Sequence, residues 1–236
     1  MRRFTAIAAL LCALTTGSSQ APAYPGCTPG PDLHFRAADG TRLVGHRFGR
    51  GTTAVVLAHE YRGDVCQWAP YARRLASLGY TAIAFDFRGF GLSQHRTGAA
   101  LIRYSADVSA AVRVARRLGA RHVIIVGASI GGNAVIVAAA NTRPLVDGVV
   151  SLSGPATFRL DAVTAAKQLK VPVLYIAGTF DEGGIYRQDA ETLYEATPAA
   201  DKTIEFVPSS EHGVRLVSHP GKARELVEQF IRLRSR

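Results

Sequence analysis

Cysteine, charged residues and long apolar runs are all scarce in this chain of 236 residues, and each scarcity excludes a class of protein. Three cysteines are too few for a disulfide-rich scaffold, and no Cys/His spacing indicates zinc, so we expect no metal. No apolar run approaches the ~20 residues of a membrane-spanning helix, so we expect no membrane span. Only 19% of residues are charged and 47% are hydrophobic, which excludes a disordered chain. A globular protein remains, and its length allows one sizeable domain with a large core or two small domains.

Acidic residues are fewer than basic ones, 18 against 28, which gives a formal net charge of +10. The arginines are scattered singly or in pairs such as Arg73-Arg74 and Arg116-Arg117, and few aromatic residues accompany them. A nucleic-acid site would combine a basic run with stacking platforms. We therefore expect no nucleic-acid partner and interpret the excess charge as a solvated surface.

The first 23 residues have the three parts of a secretory signal peptide. Met1-Arg2-Arg3 supplies positive charge, residues 4–14 form an apolar run, and Ala21-Pro22-Ala23 is a small-residue cleavage site. The alternative is a buried N-terminal helix, but no polar residue interrupts the run amphipathically. We expect cleavage after residue 23, a single domain over residues 24–236, and a secreted or extracytoplasmic location.

An oxidising compartment bears on the two cysteines that would remain after cleavage, Cys27 and Cys66. A bond between them would contribute roughly 3–4 kcal/mol in the chain-entropy model, if the geometry allows it. The alternative is two unrelated cysteines, with Cys66 as a buried thiol. The sequence leaves both open.

Strand and helix patterns alternate along the chain from residue 33 onward. Asp39-Gly40 separates the first two strand patterns and is a strong hairpin signal. The expected strands are 33–38, 42–48, 52–59, 81–87, 122–128, 146–153, 171–180 and 202–208. The expected helices are 68–78, 101–118, 130–141, 160–169, 185–196 and 220–234. This order predicts an α/β fold, in which helices cover both faces of a mostly parallel central sheet that carries an antiparallel N-terminal hairpin.

The segment Gly127-Ala128-Ser129-Ile130-Gly131 matches the pattern G-x-S-x-G where a predicted strand meets a predicted helix. A nucleophile elbow needs this sharp turn, with the serine raised above the sheet and small residues such as Gly127 and Gly131 on either side. The pattern alone is weak, and the alternative is a serine that caps a helix. Its position predicts that Ser129 is a nucleophile.

A serine nucleophile needs an imidazole base that a carboxylate orients. Among the seven histidines, His212 lies in the loop after the last strand, at the sheet edge where Ser129 emerges. Asp181 directly follows the preceding strand, with Glu182 as its adjacent rival. The alternative for Asp181 is a turn residue or a helix cap. The chain order Ser129, Asp181, His212 favours a catalytic triad.

With these residues the chain resembles the α/β-hydrolase fold superfamily over residues 33–236. The likeness rests on the hairpin, on His59 after the third strand, and on Asp86-Phe87-Arg88-Gly89-Phe90-Gly91-Leu92-Ser93. It rests also on the elbow and on its spacing to the other two triad positions. In the family, Asp86 matches a residue of a structural turn, so the resemblance implies that it is not the triad acid.

The resemblance implies an oxyanion hole made by two backbone N–H groups, those of Tyr61 and Ile130. Glu60 stands where the family usually has glycine, which is a departure in the loop that would place Tyr61. Residues 154–170 leave room for one short helix, which implies little or no cap over the site.

An open site is similar to those of lidless serine esterases and of cutinase-like and dienelactone-hydrolase-like proteins. The resemblance implies hydrolysis of carboxylic esters through an acyl-enzyme, with no cofactor. We expect a small-molecule or polymer-surface ester as substrate and a monomeric protein. The alternatives are a peptidase or amidase, a cofactor-free perhydrolase or acyltransferase, and, from a different class, a non-catalytic binding protein.

Overall fold

The computed structural model describes Cys27, Gly30 and residues 32–235, so the expected signal peptide lies outside the described residues. The strands are β1 (Asp32–Arg36), β2 (Arg42–Phe48), β3 (Thr53–Ala58), β4 (Thr81–Phe85), β5 (His122–Ala128), β6 (Gly148–Leu152), β7 (Val173–Gly178) and β8 (Lys202–Val207). The α-helices are α1 (Val65–Ser77), α2 (Tyr104–Arg117), α3 (Ile130–Asn141), α4 (Ala162–Ala166), α5 (Ile185–Ala196), α6 (Arg215–Ser218) and α7 (Lys222–Leu233).

The strands form one sheet in the order β1-β2-β4-β3-β5-β6-β7-β8. Strand β2 pairs antiparallel with both β1 and β4. The remaining neighbours in the sheet, β4-β3-β5-β6-β7-β8, pair in parallel. In the hairpin turn Gly40 has φ +79°, which glycine adopts without steric cost. The predicted fold class, with its antiparallel hairpin on a mostly parallel sheet, is confirmed.

Helices cover both faces of the sheet, which explains why the central strands are buried at nearly every position. In β3, Val56 packs into the layer that contains α2 and α3, while Val55 and Leu57 pack into the layer that contains α1 and α7. All six residues of β3 are buried. Because parallel strands share a direction, their carboxyl ends bring their loops to one edge of the sheet.

Several expected elements are shorter than the sequence suggested. Strand β4 ends at Phe85 and β7 at Gly178, because the residues that follow leave the ladder to form the loops at the carboxyl edge. The expected helix 101–118 is a 3₁₀ turn at Gly98–Ile102 followed by α2. The four-residue helix α6 was not predicted. Between β6 and β7 the only α-helix is the short α4, which agrees with the absence of a large cap.

The turn after β4 has the structural role that the resemblance implied. Asp86 is fully buried, and its carboxylate accepts hydrogen bonds from the N–H groups of Val65 (2.8 Å) and Leu92 (2.8 Å). Arg88 is also fully buried and binds Asp107 through its guanidinium. These contacts tie the β4 loop to α1 and α2.

Across the described ranges, no helix is long and apolar enough to cross a membrane.

Candidate active site

Ser129 occupies a strained turn between β5 and α3. Its φ of +52° and ψ of −122° are rare for a residue with a side chain, and they raise the side chain from the sheet edge. A Cβ at Gly127 would lie 2.1 Å from the carbonyl oxygen of Gly131, and one at Gly131 would lie 2.2 Å from that of Ala58. Only glycine fits either position. The Ser129 side chain makes no capping hydrogen bond to α3, which disfavours the helix-cap alternative.

His212 and Asp181 meet in a hydrogen-bonded pair, although 31 residues separate them. Asp181 follows β7 and His212 follows β8, so adjacent parallel strands bring both to one edge. The Nδ1–H of His212 donates to the Asp181 carboxylate, with both oxygens at 3.0 Å. Asp181 is only 1% exposed and His212 is one-quarter exposed, so a buried acid orients an accessible base. This arrangement leaves Nε2 of His212 free to accept a proton.

The surroundings of His212 favour its charged form. Burial lowers the pKa of the imidazole, but the hydrogen bond and charge of Asp181 and the charges of Glu60 and Glu182 outweigh it. The pKa of His212 is therefore raised above its ordinary value. An imidazolium that forms when the ring takes a proton from serine would be stabilised by the same groups.

A cavity of about 580 Å³ is lined by both Ser129 and His212. Tyr61 lines the same cavity, and Ile130 directly follows the serine as the first residue of α3. The first N–H groups of a helix have no partner within it, so they suit an anion. The structure thus brings the residues of the expected triad and oxyanion hole to one region. A separate cavity of about 450 Å³ beside the N-terminal hairpin contains neither Ser129 nor His212.

His59 is a structural residue of this region rather than a base. It is fully buried, its Nε2 accepts from the Phe87 N–H (3.0 Å), and its Nδ1 donates to the Glu60 carbonyl (2.6 Å). Burial lowers its pKa, and both nitrogens are used with the ring neutral. The histidine thereby fixes the start of the loop that carries Tyr61.

Two residues beside His212 were not assigned roles by the sequence patterns. The ring of Tyr186, on α5, packs 4.4 Å from the imidazole of His212, measured between ring centroids. Burial raises the pKa of Tyr186, and a hydrogen bond with Ser129 opposes that shift. The second residue is Glu60, which lines the cavity and holds the loop after His212. No motif could have found Tyr186, whereas Glu60 stood out as a departure.

The sulfurs of Cys27 and Cys66 form a disulfide, with 5.6 Å between the Cα atoms. Cys66 lies in the first turn of α1, so the bond joins this helix to the segment that precedes β1. Within the residues that the structure describes, no group of three or more His, Cys, Asp or Glu side chains could hold a metal ion.

The sheet order, the elbow and the histidine–aspartate pair after the last two strands are typical of the α/β-hydrolase fold. Comparison with known proteins agrees. Residues 50–159 match the family described as "Serine aminopeptidase, S33", a segment that includes Ser129 but ends before Asp181. The chain has the α/β-hydrolase fold.

Solved structures with this fold include several esterases. An esterase of Pyrococcus furiosus superposes with a TM-score of 0.74 at 18% identity, covering 87% of this chain and 91% of its own. A thermophilic esterase of Thermogutta terrifontis has a TM-score of 0.73 at 16% identity, covering 88% and 100%. A monoacylglycerol lipase of Paleococcus ferrophilus has a TM-score of 0.66 at 19% identity, covering 82% and 98%. At these identities the likeness shows the fold.

Proposed function

We propose that this protein is a serine hydrolase that cleaves carboxylic esters. The observation that carries the proposal is a serine at a strained elbow, in the same cavity as a histidine whose Nδ1 is bound to a buried aspartate. A serine hydroxyl is a weak nucleophile until such a pair activates it. The esterases and the lipase with the same fold support ester cleavage as the reaction.

The proposed reaction has two halves. Ser129 Oγ attacks the ester carbonyl carbon while its proton passes to Nε2 of His212, and Asp181 stabilises the imidazolium. The N–H groups of Tyr61 and Ile130 bind the oxyanion, each contributing about 3 kcal/mol in comparable sites. The imidazolium protonates the departing alcohol, which leaves an acyl-enzyme. Water then attacks the acyl group with His212 as base, and the acid and free serine are released.

The side chains at the mouth of the cavity favour, as substrate, an ester whose apolar portion extends outside the site. Tyr61, Phe158 and Ile185 line the cavity and are 41%, 45% and 56% exposed, although large apolar side chains are usually covered. The Arg159 guanidinium lies over the rings of Tyr61 and Phe158, at 5.7 and 5.4 Å from their centroids. An open mouth of this kind suits a small-molecule ester or an ester bond at a polymer surface.

An aminopeptidase is the second candidate, because the matched family carries that description. The carboxyl groups of Glu182 and Asp189 line the cavity, and an acidic group is what a substrate's free α-ammonium would require. Burial raises the pKa of Asp189, which weakens it as an anion. In this candidate, Ser129 would attack an amide carbonyl rather than an ester carbonyl, and His212 would again be the base.

One set of assays distinguishes these functions. A fluorophosphonate probe should label the purified protein and not Ser129→Ala, while Ser77→Ala, an exposed serine on α1, serves as the matched control. Nitrophenyl esters of graded acyl length should be hydrolysed faster than aminoacyl anilides. Faster turnover of the anilides would establish the peptidase, and an unlabelled parent protein would refute a serine hydrolase. Labelling undiminished in His212→Ala would remove His212 as the base.

The location and assembly belong to the same proposal. A chain exported through residues 1–23 would meet the oxidising conditions in which the Cys27–Cys66 bond is stable. We expect a secreted or extracytoplasmic monomer that begins at residue 24. Cell fractionation and N-terminal sequencing test the location and the cleavage, and sedimentation analysis tests the monomer. Recovery in the cytoplasm alone would contradict export, and an exported chain that begins with Met1 would contradict cleavage after residue 23.

A further inference from the structure

Glu60 joins two loops that carry different parts of the proposed site. Its backbone follows β3 and directly precedes Tyr61, the residue expected to supply an oxyanion N–H. Its Oε1 accepts a hydrogen bond of 2.6 Å from the N–H of Val214, which lies two residues after His212. The two partners are 154 residues apart in the chain. The side chain therefore spans from the oxyanion loop to the histidine loop.

Both ends of this connection are held in place by other contacts. The Glu60 N–H donates to Oε1 of Gln67 (3.1 Å), and Nε2 of Gln67 lies 3.4 Å from the other carboxylate oxygen. On the histidine loop, the N–H of Gly213 donates to the hydroxyl of the fully buried Ser153 (3.1 Å). The glutamate is thus a fixed acceptor rather than a mobile surface charge.

The histidine loop is shaped to receive this carboxylate. Gly213 has φ +53°, and a Cβ there would lie 2.2 Å from Oε1 of Glu60. The Val214 N–H that donates to Glu60 belongs to a buried residue. Removing the acceptor would leave that buried donor unpaired, which is costly and would loosen the loop next to His212.

The charge of Glu60 also acts on the base itself. The groups that face His212 are Asp181 and Glu182 from the β7 loop, Tyr186 from α5, and Glu60 from the β3 loop. Three of these four are acidic. Asp181 contributes a hydrogen bond as well as charge, whereas Glu60 and Glu182 contribute through charge alone.

We infer that Glu60 is a positioning residue for the proposed reaction: it holds the His212 loop through Val214 and supplies negative charge that stabilises the imidazolium. The inference rests on the proposed function, because His212 must act as the base for the second role to affect turnover. It also accounts for the departure from glycine in the β3 loop, since glycine could provide neither the acceptor nor the charge.

The decisive variant is Glu60→Gln, which keeps an oxygen that can accept from Val214 but removes the charge. Without this charge the acid limb of the kcat/KM profile should move down by roughly half a pH unit. The variant should therefore keep more of its activity at low pH than the parent protein does. NMR titration of the His212 ring should show the same downward shift in pKa. Glu60→Ala removes both the acceptor and the charge. Its kcat should be at least about tenfold below that of Glu60→Gln, with little change in KM.

Two controls separate these effects from a general loss of charge or structure. Glu195→Gln removes an exposed charge on α5 and should leave the pH profile unchanged. Gly213→Ala should lower kcat. The double variant with Glu60→Ala should lose less kcat than the two single losses predict together, because the carboxylate that the new Cβ would meet is gone. Thermal unfolding confirms that each variant is folded.

The inference is refuted if Glu60→Gln leaves both the His212 pKa and the acid limb unchanged, or if Glu60→Ala retains the parent kcat. Failure of the proposed function is a separate outcome, because it would appear as a parent protein that no fluorophosphonate labels. The NMR titration needs no substrate, so it measures the effect of the charge in either case.

Discussion

Replacing Cys27 and Cys66 together by serine should lower the free energy of unfolding by about 4 kcal/mol. The disulfide joins residues 39 apart, across the hairpin and β3. In the chain-entropy model, a loop of this length removes about 13 cal/mol/K from the unfolded chain, which is about 4 kcal/mol at 25 °C. A folded chain of about 200 residues has an unfolding entropy near 430 cal/mol/K, so the expected fall in Tm is about 9 °C.

Thermal unfolding with and without a reducing agent measures this contribution. The reducing agent should lower the Tm of the parent protein towards that of the double-serine variant, and it should leave the variant unchanged. Each single-serine variant should resemble the double variant, because either change removes the bond. A fall in Tm below about 2 °C, or two free thiols per molecule by mass analysis without reductant, would refute the stabilising role.

Three further changes test the fold and the site. Asp181→Asn removes the group that contributes most to raising the pKa of His212. We therefore expect kcat/KM at neutral pH to fall at least about 100-fold, and the acid limb of the remaining activity to move to lower pH. An unchanged pH–rate profile would contradict this. Gly131→Ala, whose Cβ would meet backbone, should cost about 1–3 kcal/mol in denaturant unfolding, and a neutral result would contradict the close approach. Arg88→Met removes the guanidinium that pairs with the fully buried Asp107, so the free energy of unfolding should fall by about 3–5 kcal/mol. The double change Arg88→Met with Asp107→Leu should lower it by less, and equal losses would show that the ion pair is not coupled.

The fold could be anticipated because its information is local. The apolar run of β3, the glycine-bounded elbow and the Asp39-Gly40 turn each describe their own geometry through periodicity and turn chemistry. The bounds of β5, α3 and α5 agree with the expected ranges. The helix α6 escaped prediction because four residues are too few to show a helical period.

The chain order of the triad could also be anticipated, since parallel strands deliver successive loops to the same edge. The sequence favoured Asp181 over Glu182 as the carboxylate that meets His212, but the two are adjacent and the pattern left Glu182 as a rival. In the structure Asp181 is buried against the imidazole, whereas Glu182 is exposed with φ +42°. That choice depends on how the backbone turns after β7, which residue types alone do not specify.

The sequence by itself determined the order of strands and helices, the elbow and the set of residues that reach the carboxyl edge. Those properties follow from patterns within a few residues of each other. Only the tertiary structure decided that Cys27 bonds Cys66, that Tyr186 packs against His212, and that Glu60 accepts from Val214. Such contacts join segments distant in sequence, and they depend on side-chain directions that are set only when the sheet and its loops pack together.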